Sequence, residues 1–232
     1  MVELPKNLYD CLEHPKTCAP DDFWGQVRRT VNGKAIPQEQ LDLMFATIRQ
    51  ALCLQKTDIL LDIACGNGRL GSEFFDQIQG YLGVDLSPCL IEIGKKHFER
   101  QATHIFLLQN IREYCKIEMT PLRFTKALCY GSVAYLPKDE LLECLSLFRK
   151  RFLNITHLFI GAIPDKDLAA VFFQEKEMPD LADHTTAIGR WYTRSEIVAL
   201  AQHCGWLATI NEFPKQFYQS HYRFSATLTP TN

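Results

Sequence analysis

No two of the nine cysteines form a C-x-x-C pair, and an odd number cannot all pair with one another. That argues against a disulfide framework and against a zinc site, so no metal is expected. Reduced thiols are the better reading, since Cys65, Cys129 and Cys144 lie inside apolar runs. No apolar stretch approaches the ~20 residues that span a bilayer, and the opening MVELPKNLYD has no apolar signal core. The expectation is a soluble, cytoplasmic protein with no membrane partner. A concentrated basic face is missing as well. Lysine and arginine number 25 against 27 acidic residues, the net charge is −2, and the basic residues are scattered apart from short clusters such as Arg149-Lys150-Arg151. Nucleic-acid binding ordinarily needs a basic patch, so a nucleic-acid partner is disfavoured, although a small RNA substrate stays open. There is no internal repeat and no low-complexity linker. What is present is 232 residues, 47% of them hydrophobic, enough for one sizeable α/β core. Nothing in this composition fixes an oligomeric state.

From about Asp58 onward, short apolar runs alternate with helical patterns. The runs DILLDI (58–63), YLGVD (81–85), IFLLQ (105–109), FTKALCY (124–130), HLFIGAI (157–163), LATINEF (207–213) and YRFSATL (222–228) predict seven strands. Helix starts are marked between them. Ser87-Pro88 offers an N-cap and a proline in the first turn. Pro137 opens KDELLECLSLFRKRF. Thr193-Arg194-Ser195-Glu196 is a capping box ahead of an apolar-periodic run that ends at Gly205. Such alternation predicts a parallel sheet with helices on both faces. The last two strands lack a helix between them and should form an antiparallel hairpin at the sheet edge. Two segments stand outside the alternation. Residues 1–57 hold a helix opened by Pro37, with Leu41, Phe45, Ile48 and Leu52 on one stripe. Residues 164–192 form an insertion. Both are expected over the carboxyl ends of the strands, where open α/β sheets bind ligands, with residues 1–57 as an N-terminal helical cap and 58–232 as the ligand-binding domain. Packing of 1–57 on a sheet edge is the alternative.

The stretch LLDIACGNGRLG (60–71) holds Gly66, Gly68 and Gly71 in a G-x-G-x-x-G pattern. Such a turn lets backbone approach a ligand closely, but it does not name the ligand. A pyrophosphate at the following helix N-terminus would be repelled by an acid beside it, and Asp62 ends the apolar run four residues ahead of Gly66. A ligand with an ammonium group and a sulfonium would welcome that carboxylate. S-adenosylmethionine is such a ligand. An acid at the end of the next strand, Asp85, follows the glycines at a spacing of roughly 20 residues that suits either ligand class.

Here the chain resembles the class I S-adenosylmethionine-dependent methyltransferases. Asp62-Ile63-Ala64-Cys65-Gly66-Asn67-Gly68 is similar to that family's first motif, with Ala64 in place of the commoner glycine. The resemblance covers about residues 58–228. It implies a Rossmann-like, doubly wound seven-stranded sheet, mostly parallel with an antiparallel C-terminal strand, and S-adenosylmethionine as cofactor, released as S-adenosylhomocysteine. It places Asp85 on the ribose hydroxyls, with Leu86 beside it, and Asn110 and Ile111 at the adenine. Asn110 also suits a helix N-cap, and the two roles are compatible. It places Cys129 and Tyr130 near the methyl group, where Cys65 and Cys129 are better read as small core residues than as nucleophiles.

The acceptor side is less determined. CYGSVAYLP (129–137) offers Tyr130, Ser132 and Tyr135 but no histidine or aspartate, and it lacks the Asn/Asp-Pro-Pro-aromatic motif of methyltransferases that act on base amino groups of DNA. A hydroxyl acceptor would need a base, for which His184 in the insertion and His221 beside Tyr222 are the candidates, with Tyr130 a third catalytic candidate. Trp191, in GRWY (189–192), is a candidate acceptor wall or a core residue. In the N-terminal DFWGQVRRTVNGK, Trp24, Gln26 and Arg29 are expected to close over the cofactor, with Arg29 on its carboxylate. These segments together resemble methyltransferases of polysaccharide and lipopolysaccharide biosynthesis clusters. That resemblance implies a small-molecule acceptor, a sugar or sugar-nucleotide hydroxyl. N-methylation of a small amine, tRNA or rRNA methylation, a non-catalytic cofactor-binding partner protein and a nicotinamide-dependent oxidoreductase are the alternatives.

Overall fold

Strand and helix formation follow the apolar patterning. The computed structural model describes residues 12–174 and 177–231. A small antiparallel ladder joins β1 (Thr30–Val31) to β2 (Lys34–Ala35). The main sheet holds β3 (Ile59–Ile63), β4 (Gly80–Asp85), β5 (His104–Leu108), β6 (Lys126–Tyr130), β7 (His157–Pro164), β8 (Trp206–Asn211) and β9 (Arg223–Pro230). Their order is β5-β4-β3-β6-β7-β9-β8. Pairing is parallel from β5 to β7, and β9 runs antiparallel to both of its neighbours. The expected C-terminal hairpin is therefore present, with β9 inserted inside β8, which takes the edge. The central strands read as near-continuous apolar runs because both faces are covered. All five residues of β6 are buried, as are four of the five in β3.

The helices are α1 (Phe23–Gln26), α2 (Gln38–Leu52), α3 (Arg69–Ser72), α4 (Pro88–His97), α5 (Ile111–Ile117), α6 (Lys138–Arg151), α7 (Ala169–Phe172) and α8 (Arg194–His203). Their starts obey the signals in the chain. Ser87 accepts from Leu90 N–H at the head of α4, and Pro88 fills the first turn, where its missing donor costs nothing. Thr193 and Glu196 form the reciprocal capping box of α8.

The two faces of the sheet are filled by different helices. On one, Leu141, Cys144, Leu145 and Phe148 of α6 and Ile197 and Leu200 of α8 meet Leu61, Ile63, Cys129, Leu158 and Ile160. On the other, Leu41, Met44, Phe45, Ile48 and Leu52 of α2 pack with Leu60, Leu128 and Phe159. Each such side chain contributes about 1.5–3 kcal/mol when fully buried. In the N-terminal region, α2 is thus one layer of the core, and Phe23, Gln26 and Val27 ahead of it lie against the glycine turn. The insertion leaves and re-enters the sheet at one place, because Tyr192 N–H donates to Pro164 O and Lys166 N–H to Tyr192 O. β3 is followed by β4 on one side and pairs with β6 on the other, so the order reverses between β3 and β6. The crevice outside the carboxyl ends at such a reversal is where these sheets take ligands.

Candidate cofactor and acceptor site

The turn after β3 needs left-handed backbone three times. Ala64, Gly66 and Gly68 have φ of 53°, 60° and 77°. Glycine adopts this region freely, whereas an alanine there costs about 1–2 kcal/mol, so Ala64 is a strained residue at the centre of the motif. The turn is fixed from the neighbouring strand. Asp85, at the end of β4, accepts from Gly66 N–H and from Ser87 N–H, each at 2.8 Å. Burial raises the Asp85 carboxyl above its ordinary value, and the backbone N–H donors oppose that rise. Each carboxylate oxygen keeps a further lone pair for a ligand hydroxyl. Leu86 beside it is 47% exposed, an apolar side chain left open at the crevice.

Asp62, on β3, is 2% exposed and accepts a 2.8 Å bond from the Tyr81 hydroxyl. Burial pushes its carboxyl up to about 7, the Tyr81 hydrogen bond opposes this, the Asp85 charge adds to it and the Arg29 cation counters it. Arg29 lies over the ring of Tyr130 at 4.6 Å, and its Nη1 donates to Met44 Sδ at 2.8 Å. Its Nε is buried with no partner, and no carboxylate pairs with it among the described residues. One buried carboxyl and one half-buried guanidinium therefore lie near each other without pairing.

The N-terminal segment is bound to the turn by Asn67. This side chain is 1% exposed; its Nδ2 donates to Phe23 O at 2.8 Å and to Gln26 Oε1 at 2.9 Å, and its Oδ1 accepts from Arg69 N–H. Gln26 commits its own amide to Ala19 O and Pro20 O, so its polar atoms fasten the segment to the turn. Trp24 lies 6.1 Å from Phe45, with Arg29 and Arg69 over its ring. Phe23 makes edge contacts with His97 and Phe98.

Asn110 caps α5, accepting from Glu113 N–H, and its Nδ2 donates to Glu140. Ile111 is 7% exposed and belongs to the core beneath. Cys65 and Cys129 are buried, and burial drives both thiols up, Cys129 to about 12. Both stay protonated at neutral pH, as core residues do.

The acceptor candidates separate into two groups. Tyr130 is 6% exposed and its hydroxyl has no partner. Burial raises that hydroxyl well above its ordinary value, with Arg29 and Arg223 opposing, so it is a hydrogen-bond donor rather than a base at neutral pH. Its ring takes the space where a side chain at Gly161 would stand, 2.2 Å from a Cβ built there, so β7 needs glycine at that point. Trp191 is 2% exposed and packs against Phe172, Phe173 and Tyr222, with Nε1 buried and unpartnered. His221 is exposed, its ring 4.7 Å from that of Tyr222. The second group lies on the insertion side. The Tyr135 hydroxyl donates to Ala187 O, Arg190 N–H donates to Ala134 O, and His184 sits half-buried in that loop beside Asp183. Ser132 is half-buried just ahead of the turn 133–135. The sequence reading did not single out Tyr81, Met44, Tyr218 or Arg223. Arg223 had a usable signal, as a cation opening an otherwise apolar strand.

Residues 60–152 match the family model described as a methyltransferase domain. An uncharacterized methyltransferase of Schizosaccharomyces pombe is 29% identical over 77 residues; the match covers 33% of this chain and 28% of that protein. The chain thus spans less than a third of that curated relative. Among solved structures, magnesium protoporphyrin IX methyltransferase from Synechocystis with bound S-adenosylhomocysteine (SAH) aligns at a TM-score of 0.61 and 13% identity, over 84% of this chain and 83% of that one. DhpI in complex with SAH aligns at 0.63 and 12%, over 98% and 96%. Geranyl diphosphate C-methyltransferase from Streptomyces coelicolor aligns at 0.60 and 12%, over 82% and 77%. Residues 60–152 are therefore similar to a methyltransferase domain, and the chain has the fold these structures share. The acceptors named for those neighbours differ, so the fold does not set the acceptor. Among the described residues there is no helix long and apolar enough to cross a membrane and no cluster of candidate metal ligands.

Proposed function

We propose that this protein transfers a methyl group from S-adenosylmethionine to a small polar acceptor, a hydroxyl of a sugar or sugar nucleotide. The observation that carries the cofactor assignment is that Asp62 and Arg29 lie near each other with no ion pair between them. The amino-acid end of S-adenosylmethionine has an ammonium and a carboxylate, which complement that pair. A dinucleotide pyrophosphate would meet Asp62 as a like charge. The 64–68 turn supports the ligand from below, Asp85 takes the ribose hydroxyls, Leu86 lies against the adenine, and Asn110 offers its edge to the base while it caps α5. The segment holding Trp24 and Arg29 covers the bound cofactor.

Transfer is an in-line displacement. The acceptor oxygen supplies an electron pair to the methyl carbon, the sulfonium–carbon bond breaks, and its electrons remain on the sulfur of SAH. The hydroxyl proton passes to a base. Catalysis of this kind depends on positioning and on exclusion of water. The Tyr130 hydroxyl orients the acceptor as a donor. His221 is the base of this proposal, because its ring adjoins Tyr222 on the acceptor side. His184 belongs to the loop anchored by Tyr135.

Asp85→Ala leaves the fold in place and weakens SAH binding at least tenfold by calorimetry, since each hydrogen bond to a charged acceptor is worth about 1.5–3 kcal/mol. An unchanged affinity would remove Asp85 from the ribose site. His221→Ala slows transfer by about 10²–10⁴ with SAH affinity unchanged. Full activity in that variant, with loss in His184→Ala, would move the base to the insertion. The acceptor class is tested by following SAH release with a panel of sugars and sugar nucleotides against small amines. Turnover confined to the amines would overturn the hydroxyl reading.

A further inference from the structure

The carboxyl ends of β6 and β7 and the start of β9 bring Arg223, Tyr130 and Tyr218 near one another. β7 shifts register between Ile160 and Ile163, and Ala162 inside that bulge has a φ of 58°. A bulge re-aims side chains, and a non-glycine residue in left-handed backbone persists only where its surroundings hold it. Here the bulge presents Ala162 O to the guanidinium of Arg223, which donates to it through Nη1. Arg223 also lies over the ring of Tyr222 at 5.1 Å, and its Nε is buried without a partner. No carboxylate pairs with it among the described residues. Arg223 and Arg29 are both close enough for their charges to bear on the hydroxyls of Tyr130 and Tyr218. A half-buried guanidinium whose Nε donor is buried and unmet is costly unless something pairs with it. The ring of Tyr222 lies under the guanidinium, and the unpartnered Tyr130 hydroxyl nearby is one further donor.

From this juxtaposition we infer that the acceptor bears an anionic group, a carboxylate or a phosphate, which Arg223 pairs with while Tyr130 donates to it or to the neighbouring acceptor oxygen. The inference rests on the methyltransferase reading of the site, in which Arg29 is taken by the cofactor carboxylate and Arg223 remains for the acceptor. It makes the acceptor a charged molecule, and the bulge at Ala162 is the device that aims Arg223 inward.

Binding of three small probes to the whole protein tests this by saturation-transfer NMR, with and without SAH: phenyl phosphate, benzoate and benzyl alcohol. At least one anionic probe should bind tenfold or more tightly than benzyl alcohol. Arg223→Gln should bring it to within about twofold of the neutral probe, with SAH affinity by calorimetry unchanged. Arg223→Lys keeps the cation and a donor for Ala162 O. It should retain most of the preference, which guards against a Gln variant that fails to fold. Preference for benzoate or for phenyl phosphate assigns the anion as carboxylate or phosphate. Equal binding of all three probes, or an anion preference that survives in folded Arg223→Gln, would overturn the inference. Failure of SAH to bind would sink the cofactor reading instead, while the probe comparison without SAH still decides this one.

Discussion

Asp62→Asn makes the free protein more stable above neutral pH and strips it of most of its cofactor affinity. The wild-type carboxyl is buried and titrates near 7, against an ordinary value of 3.8. A raised carboxyl favours the folded state when protonated. Its contribution is fully present below about pH 4 and is lost as pH rises through about 7. At about 1.36 kcal/mol per unit, that loss is at most on the order of 4 kcal/mol. Asparagine has the same shape and still accepts from Tyr81, but it never ionises. Its buried amide donors cost about 1–3 kcal/mol if unmet, so the net gain at pH 8 is about 1–2 kcal/mol, read as a higher melting temperature. The same change removes the partner of the cofactor ammonium, and affinity for SAH falls about 10- to 100-fold. In the wild type, SAH affinity rises with pH toward 7 and then flattens, because binding requires the ionised carboxyl. A variant that is less stable at pH 8 and binds SAH normally would show that Asp62 is only a structural acid.

Deleting residues 1–33 leaves a cooperatively folding protein with little turnover. The sheet keeps both of its layers, since α2 begins at Gln38 and its five buried apolar residues remain. What is lost is the cover over the turn: the two Asn67 bonds to Phe23 and Gln26, the Trp24 plate and the Arg29 cation. Without the Arg29 pair the cofactor binds roughly ten- to a hundredfold more weakly, as expected for a charge-assisted bond. Without the cover, water enters and the reacting groups lose alignment, for a further loss of about 10²-fold in rate. Wild-type turnover in the truncated protein would rule out a covering role.

The fold was legible because its signals are local. Apolar runs bounded by Ser87-Pro88, Pro137 and the Thr193–Glu196 box fix where strands end and helices start. The resemblance carried by 62–68 supplied the topology that alternation leaves open. The convergence of Asp62, the glycine turn and Asp85 was legible for the same reason: they sit at strand ends, where spacing alone predicts it. The surroundings of Tyr130 were not. Arg223 reaches Ala162 across a bulge that no residue pattern announces, and Tyr130 meets Arg29 across about a hundred residues of chain. Asn67 was read as part of the cofactor motif, and only the structure shows its side chain holding Phe23 and Gln26. Tyr81 looked like an ordinary strand residue until β4 was placed beside β3, which brought its hydroxyl to Asp62.

Calorimetric titration of the purified protein with SAH and, separately, with NADH tests the central claim most directly. Pairing of Asp62 and Arg29 with the two charges of an amino-acid end predicts saturable one-to-one SAH binding, weakened in Asp62→Asn and in Asp85→Ala, and no heat from NADH. Binding of NADH, or indifference to SAH, would contradict it.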